Sequence, residues 1–528
     1  MSYELKGKIS GKDLVVFNGN RNCSIKNLKH RLSKYQLHEA LRLISIISTG
    51  LFEQKRPMQE INGIPITEGM LAFFAMELIL NSNDNTTRCM NINDIQIACK
   101  MYLSTYDLND NSFNPSIETL LRYGMSQFDF NKPTNHILPR TLVIYGQLWT
   151  DNSNIINIDE TINKISGLSI NEILILTTYI ISIAKKQGFI RNNKICLDNN
   201  VDNEIIKLIE NDTKRELYIK WLSCTYDEFK KYYQENEVQI NKYKKYEKYK
   251  FNYLCSKPII IPDNNPQPSL SMPYIIPSIR LLFEKVTIGL YHELNNYYTL
   301  SSSANVFRQE YGKVFEKYII KLLNHISPND VFMIIPEFEY DPGKKSSDII
   351  IKYDNKAVFI EIKQSSFYLN SKLYGEINDI EKDLQKTISY AVKQLWKFEN
   401  NIKSNKYNAL EQFNNLTQIE RLVITNDSCY FTNSLLKEYI SKTVSKDIPD
   451  FDHNYYIHCI TIDDFETLIG IKNVNIHDYL YEKRNNEKYS RYDFGDYYAE
   501  KFSGTSQNDY LNNIMKDFFD KIKESFTN

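Results

Sequence analysis

No paired-cysteine motif, no glycine-rich phosphate loop, no long apolar run and no excess of either charge occurs in this 528-residue sequence, and each absence removes a class of protein. The cysteines, Cys23, Cys89, Cys99, Cys196, Cys224, Cys255, Cys429 and Cys459, are scattered, without a C-x-x-C pair or histidines at zinc spacing. That pattern excludes a structural zinc and predicts reduced thiols in a cytoplasmic setting. Neither a Walker A glycine loop nor G-x-G-x-x-G is present, which argues against an ATPase or dinucleotide site. The longest strongly apolar run, Ile173 to Ala184, covers 12 residues, short of the roughly 20 that a membrane helix needs. The opening Met1-Ser2-Tyr3-Glu4-Leu5-Lys6 carries no apolar signal core. With a formal net charge of −1, any contact with nucleic acid has to come from a local patch.

What is present is a hydrophobic content of 42% and one place where residue type, spacing and geometry converge. Asp348 to Tyr353 and Lys356 to Lys363 are rich in Ile, Val and Phe. Between them stands Asp354-Asn355, a dipeptide that tolerates the positive φ of a tight hairpin turn. With that turn, Tyr353 faces Lys356, Ile351 faces Val358 and Asp348 faces Glu361. Opposed residues share a face with Cβ atoms about 4.5–5.5 Å apart, so the two carboxylates meet, and Lys363 points the same way two residues on. Ile349, Ile351, Val358 and Ile360 fill the other face. Ile350, Ala357 and Phe359 keep the first face largely apolar, as in a central strand buried on both sides. A slip of one residue would destroy the arrangement.

Two adjacent carboxylates repel and raise a pKa unless a cation intervenes. Hard oxygen ligands contributed by only two or three side chains suit Mg²⁺, which keeps several waters and completes its shell with substrate phosphate; Mn²⁺ would substitute. Such an ion activates water and neutralises charge on a phosphodiester, and Lys363 would position or deprotonate the attacking water.

These residues resemble the PD-(D/E)XK nuclease superfamily, with Asp348 as its first acid and Glu361-Ile362-Lys363 as its E-x-K; Ser347 stands where the family name puts proline. The resemblance covers roughly residues 278–475. It implies an αβββαβ core: a helix over Asn305–Asn324, strands at 331–340, 348–353 and 357–363, a helix over Ile380–Ile402 and the strand Arg421–Thr425. A further helix near Leu435–Ile440 and a strand Tyr456–Ile462 follow. Within the first helix, Gly312-x-x-x-Glu316 looks like the family's N-terminal helix, whose glutamate often reaches the metal. Gln394 resembles a polar residue that some members direct at the site. The implied activity is Mg²⁺-dependent endonuclease cleavage, of DNA before RNA, in a restriction or phage-defence setting. A catalytically silent nuclease-fold binding module and an RNase on the same fold are the alternatives.

The fold class expected is therefore α+β and multidomain. A mostly helical domain at 1–255, with helices near 29–50, 67–82, 115–126, 169–187 and 213–253, would sense, specify, or bind a partner protein or a second copy. Ser169 and Glu172 form a capping box for one of these helices, and Gly188 supplies its stop. Lys242 to Lys250 alternates lysine with tyrosine, a pattern that can bind single strands through phosphates and stacked bases; but Tyr243, Tyr246, Tyr249 and Tyr253 fall on one helix face, which favours core packing with solvated lysines. Six of the chain's 15 prolines lie between Ser256 and Pro277, marking 256–277 as an extended connector to the nuclease-like domain at 278–480. In the tail at 481–528, the stripe Leu511, Ile514, Met515, Phe518, Phe519, Ile522 and Phe526 predicts an amphipathic helix that docks on the protein or a partner.

Overall fold

The computed structural model describes all residues except 1, 10–11, 19–22, 54–57, 62, 83–85, 106–133, 150–155, 188, 191–210, 239–243, 263–273, 327–331, 365–366, 368, 375, 427–432, 473, 492–493, 502–507 and 525–528. The architecture is mixed α and β, with a helix-rich first half and a five-stranded sheet in the second. The helix expected near 115–126 and its neighbour's stop at Gly188 lie outside the described residues.

The first half follows its apolar periodicity where capping residues permit. Thr67 caps Glu68–Asn81, whose buried residues occupy every side of the helix. Ser169 and Glu172 exchange backbone hydrogen bonds at the start of Ile170–Gln187. Two expectations change. The segment 29–50 is two helices, Ile25–Leu32 and Leu37–Glu53. The segment 213–253 is broken by the strand Ser223–Thr225 between Asp212–Leu222 and Tyr226–Glu235, and it ends in 3₁₀ turns at Lys244–Tyr249 and Tyr253–Cys255. Lys248 and Lys250, in the described part of the Lys–Tyr stretch, are buried and not solvated. Lys250 Nζ lies 2.7 Å from the buried Glu77 carboxylate, and Lys248 Nζ donates to the Tyr102 carbonyl at 3.1 Å while sitting over that ring. A buried cation persists only with such partners, so the alternation of Lys and Tyr serves the interior.

In the second half we label the strands of the large sheet β1 (Met333–Pro336), β2 (Ile349–Lys352), β3 (Lys356–Lys363), β4 (Gln418–Thr425) and β5 (His458–Thr461). They lie in the spatial order 5-4-3-2-1, with β2 antiparallel to both β1 and β3, and β3, β4 and β5 parallel. Pro336, which cannot donate to a ladder, sits on the edge strand, where it is tolerated. The register of β2 on β3 places Ile349 opposite Ile360 and Ile351 opposite Val358. The long first strand expected over 331–340 ends at Pro336, and Glu339–Asp341 pairs separately with Lys344–Lys345.

Each face of the sheet has its own core. Ile349, Ile351, Val358, Ile360, Leu422 and Ile424 pack under helix α1 (Ala304–Ile326) through Val314, Phe315, Tyr318, Ile319 and Leu322. On the other face, Ile350, Ala357, Phe359 and Val423 pack under α2 (Ile377–Leu384) and α3 (Tyr390–Lys403) through Ile380, Leu384, Ala391, Leu395 and Phe398. Each such buried side chain contributes about 1.5–3 kcal/mol. A wide π turn, Gln385–Ser389, joins α2 to α3 and buries three successive residues, Thr387, Ile388 and Ser389.

One of these cores crosses the middle of the chain. Ile137, Trp149, Leu174, Leu222 and Ile259 belong to the same apolar cluster as β2, β3 and α1. Within the proline-rich stretch, Ile259–Ile261 pairs with Ser223–Thr225 and with Tyr274–Ile275, so its described ends are stitched into a small sheet. Charges join the halves as well. Arg140 contacts Asp463 and lies 3.0 Å from Glu466, which also accepts from Tyr318 at 2.6 Å. The C-terminal helix Asp509–Glu524 docks on this body through Leu511 and Phe518. Among the described residues no single helix is long and apolar enough to cross a membrane; the apolar run from Ile173 lies in the core.

Candidate active site

Asp348 stands just before β2, and the ladder extended by one pair sets it opposite Glu361. It is pinned from both neighbouring strands. Its carboxylate Oδ2 accepts the Ile362 N–H at 2.7 Å, and its carbonyl accepts the Glu337 N–H at 2.8 Å. Glu361 lies mid-sheet and is fully buried. One of its oxygens, Oε2, meets Lys363 Nζ at 2.8 Å. The other, Oε1, is buried without a hydrogen-bond partner. Lys363 in turn donates to Gln394 Oε1 at 2.9 Å, which brings α3 into the cluster. Asp348, Glu361, Lys363 and Gln394 are thus linked by register and hydrogen bonds.

Glu316 arrives from α1, on the other face of the sheet. Gly312, one turn earlier in the helix, runs close to the end of β3: a Cβ there would lie 3.2 Å from Gln364 Nε2, one residue past that strand. One turn later Glu316 is within electrostatic reach of Asp348, Glu337, Lys363 and Lys345. Burial, then the Asp348 and Glu337 charges, push its carboxyl up to about 7.

The other groups follow the same physics. Burial first, and Asp348 second, raise the Glu361 carboxyl to about 8. Burial also raises Asp348, against the opposing pull of Lys363 and the Ile362 N–H. For Lys363, burial favours the neutral amine, but Glu361 and Asp348 outweigh it and hold the ammonium charged. Three carboxyls and one lysine therefore share a region with more negative charge than its cations offset.

That imbalance is the test of whether a metal ion fits. An orphaned carboxylate oxygen beside a second, half-buried carboxylate is a hard donor set short of positive charge, which suits Mg²⁺ or Mn²⁺ with only two or three protein ligands. Asp348 and Glu361 could hold the ion, with Glu316 as a third oxygen donor. As the side chains stand, no three His, Cys, Asp or Glu among the described residues form a ready-made ligand set.

Several neighbours escape a reading of the sequence. Glu337 lies opposite Asp348 once β1 pairs with β2, but the long loop between those strands conceals the register. Lys345, exposed to solvent as a loop lysine is expected to be, bonds Glu337 at 2.7 Å and lies within electrostatic reach of Glu316. Tyr390 emerges exposed just after the π turn, its ring 5.4 Å from Lys363 Nζ; its place off the apolar stripe, one turn before Gln394, was the available signal. A shallow cavity bounded by Ile440, Ser441, Phe451 and His453 touches none of these groups. The chain matches no known protein-family model and no curated protein.

Proposed function

We propose that the chain is a divalent-metal-dependent nuclease of the PD-(D/E)XK type, with the restriction-endonuclease-like core at 278–480, acting on DNA before RNA. The observation that carries the reading is the meeting of Asp348, Glu361 and Lys363 at one end of paired strands, with Glu361 left one partner short. Asp348 and Glu361 would hold Mg²⁺, Mn²⁺ substituting, and Glu316 would complete the oxygen set. The bound ion would supply an acidified water and neutralise charge on the phosphate. Lys363, kept cationic by its carboxylates and oriented by Gln394, would position the attacking water and balance charge that develops on the phosphoryl oxygens. Asp348, tied to the Ile362 N–H, keeps its orientation as charge shifts.

The deciding experiment incubates wild type and Lys363→Ala with duplex DNA, single-stranded DNA and RNA, each with Mg²⁺ and with EDTA. Metal-dependent cleavage by the wild type alone is expected. Identical, metal-independent behaviour of the two proteins would leave a nuclease-fold binding module, and cleavage confined to RNA would make the enzyme an RNase. A restriction or phage-defence role, with the helical half receiving a partner or a signal, is the setting that suits such an activity.

A further inference from the structure

We infer that the solvent-facing side of α2 and α3 is a docking ridge for a single nucleic-acid strand, with Tyr390 as the platform on which the base beside the reacting phosphate stacks. The inference rests on the hydrolytic reading above and names the form of substrate that site receives.

The ridge is visible in the helix register. Lys386, Tyr390, Lys393 and Lys397 recur at three- and four-residue steps, with Gln394 beside Lys393, and all lie off the buried stripe. Lys386 and Lys397 are exposed, and Lys393 is half-buried. Part of the ridge is already engaged within the protein, and Lys386 has an interaction of its own. Lys393 contacts Asp447, a residue 62% exposed, and Lys382, one turn before Lys386, lies 3.7 Å from Asp379. In each pair one partner is mostly exposed, which limits what the pair is worth against an incoming phosphate.

Tyr390 supplies the second, independent element. Its side is 55% exposed, unusual for so large a ring, and it lies 5.4 Å from Lys363 Nζ. The cation–π contact holds the ring in place at the mouth of the site. Lysines along a helix and an aromatic face at its centre match phosphates on one side and an unstacked base on the other. A duplex offers the phosphates but keeps its base faces occupied, so the ring selects a single or locally opened strand. The chain's formal net charge of −1 means that this local ridge has to supply the attraction.

The test measures binding in EDTA, where no metal-dependent turnover occurs. Fluorescence anisotropy is followed with a labelled oligothymidylate and with a mixed-sequence duplex of equal length. Tyr390→Ala is expected to weaken single-strand binding about tenfold, within the range for loss of one stacked base, and to leave the duplex unchanged. Tyr390→Phe, which keeps the ring, should bind within about twofold of wild type. The double variant Lys386→Ala/Lys397→Ala should reduce the salt dependence of single-strand binding by up to about 1.4 in log–log slope. Wild-type affinity in Tyr390→Ala, equal loss in the Ala and Phe variants, or no single-strand binding by the wild type would overturn the ridge. Cleavage lost in Lys363→Ala with binding indifferent to Tyr390 removes the ridge alone; binding that depends on Tyr390 without metal-dependent cleavage removes the hydrolytic reading alone.

Discussion

Two glutamates on adjacent strands of one sheet, Glu361 on β3 and Glu420 on β4, are equally buried and have opposite electrostatic fates. Glu420 sits near the start of its strand, 3.1 Å from His458 Nε2 and 2.8 Å from Arg484. Burial opposes its charge, but His458 and Arg484 prevail and hold its carboxyl below the usual range. Glu361 sits near the other end, where the parallel strands finish. It shares one lysine with Asp348 and has one oxygen unpartnered, and its carboxyl rises to about 8. In parallel sheets ligands gather beyond the carboxyl ends of the strands. One end of this sheet is finished internally; the other is left short of a cation.

Substitutions at the two positions separate these roles. The largest effect is on cleavage: Glu361→Gln or Asp348→Asn should reduce metal-dependent cleavage at least about a hundredfold, whereas Glu420→Gln should keep near-wild-type activity per folded molecule. Comparable loss from both would erase the distinction.

Stability should run the other way. Glu420→Gln removes a satisfied buried charge and should cost about 2 kcal/mol at neutral pH, read by urea denaturation. The pH profile carries a sign. Because the folded pKa of Glu420 lies below the unfolded value near 4.5, its contribution is present above that pH and is lost as pH falls through the folded value. The mutant penalty should therefore shrink in acid. Buried His458, held down to about 4 from 6.5, adds erosion of wild-type stability as pH falls through that window, since the unfolded chain takes the proton first.

A smaller effect is expected from Glu361→Gln without metal. Removing a poorly compensated buried charge should raise stability by about 1 kcal/mol, seen as a higher melting temperature in EDTA. Added Mg²⁺ should then stabilise the wild type and leave the variant unmoved. The smallest change belongs to Gln394→Ala, which frees Lys363 from one hydrogen bond and should slow cleavage by about fivefold with little change in melting temperature.

The β2–β3 hairpin was readable in the sequence because local rules determine it: a two-residue turn sets the register, and the alternation of side chains then assigns each face. Some helices, such as Glu68–Asn81, Ile170–Gln187 and Ala304–Ile326, were readable in the same way, from apolar stripes and from caps such as Ser169 with Glu172. Longer-range features were not. The lysines from 248 to 250 looked solvated because periodicity cannot reveal that Glu77 and Tyr102 close over them. The break at Ser223–Thr225 is a tertiary effect, since that strand exists only where Ile259–Ile261 pairs with it.

Sequence by itself placed Asp348, Glu361 and Lys363 on one face, because neighbours across a tight hairpin have no freedom to choose partners. Glu316 and Gln394 were named only through a family resemblance, and tertiary structure decided that they lie near the cluster; it alone brought Glu337 across from Asp348 and Tyr390 to the lysine. Each of those meetings crosses a loop or an inter-element packing contact, whose geometry is set by how whole elements bury their apolar faces and not by any local spacing.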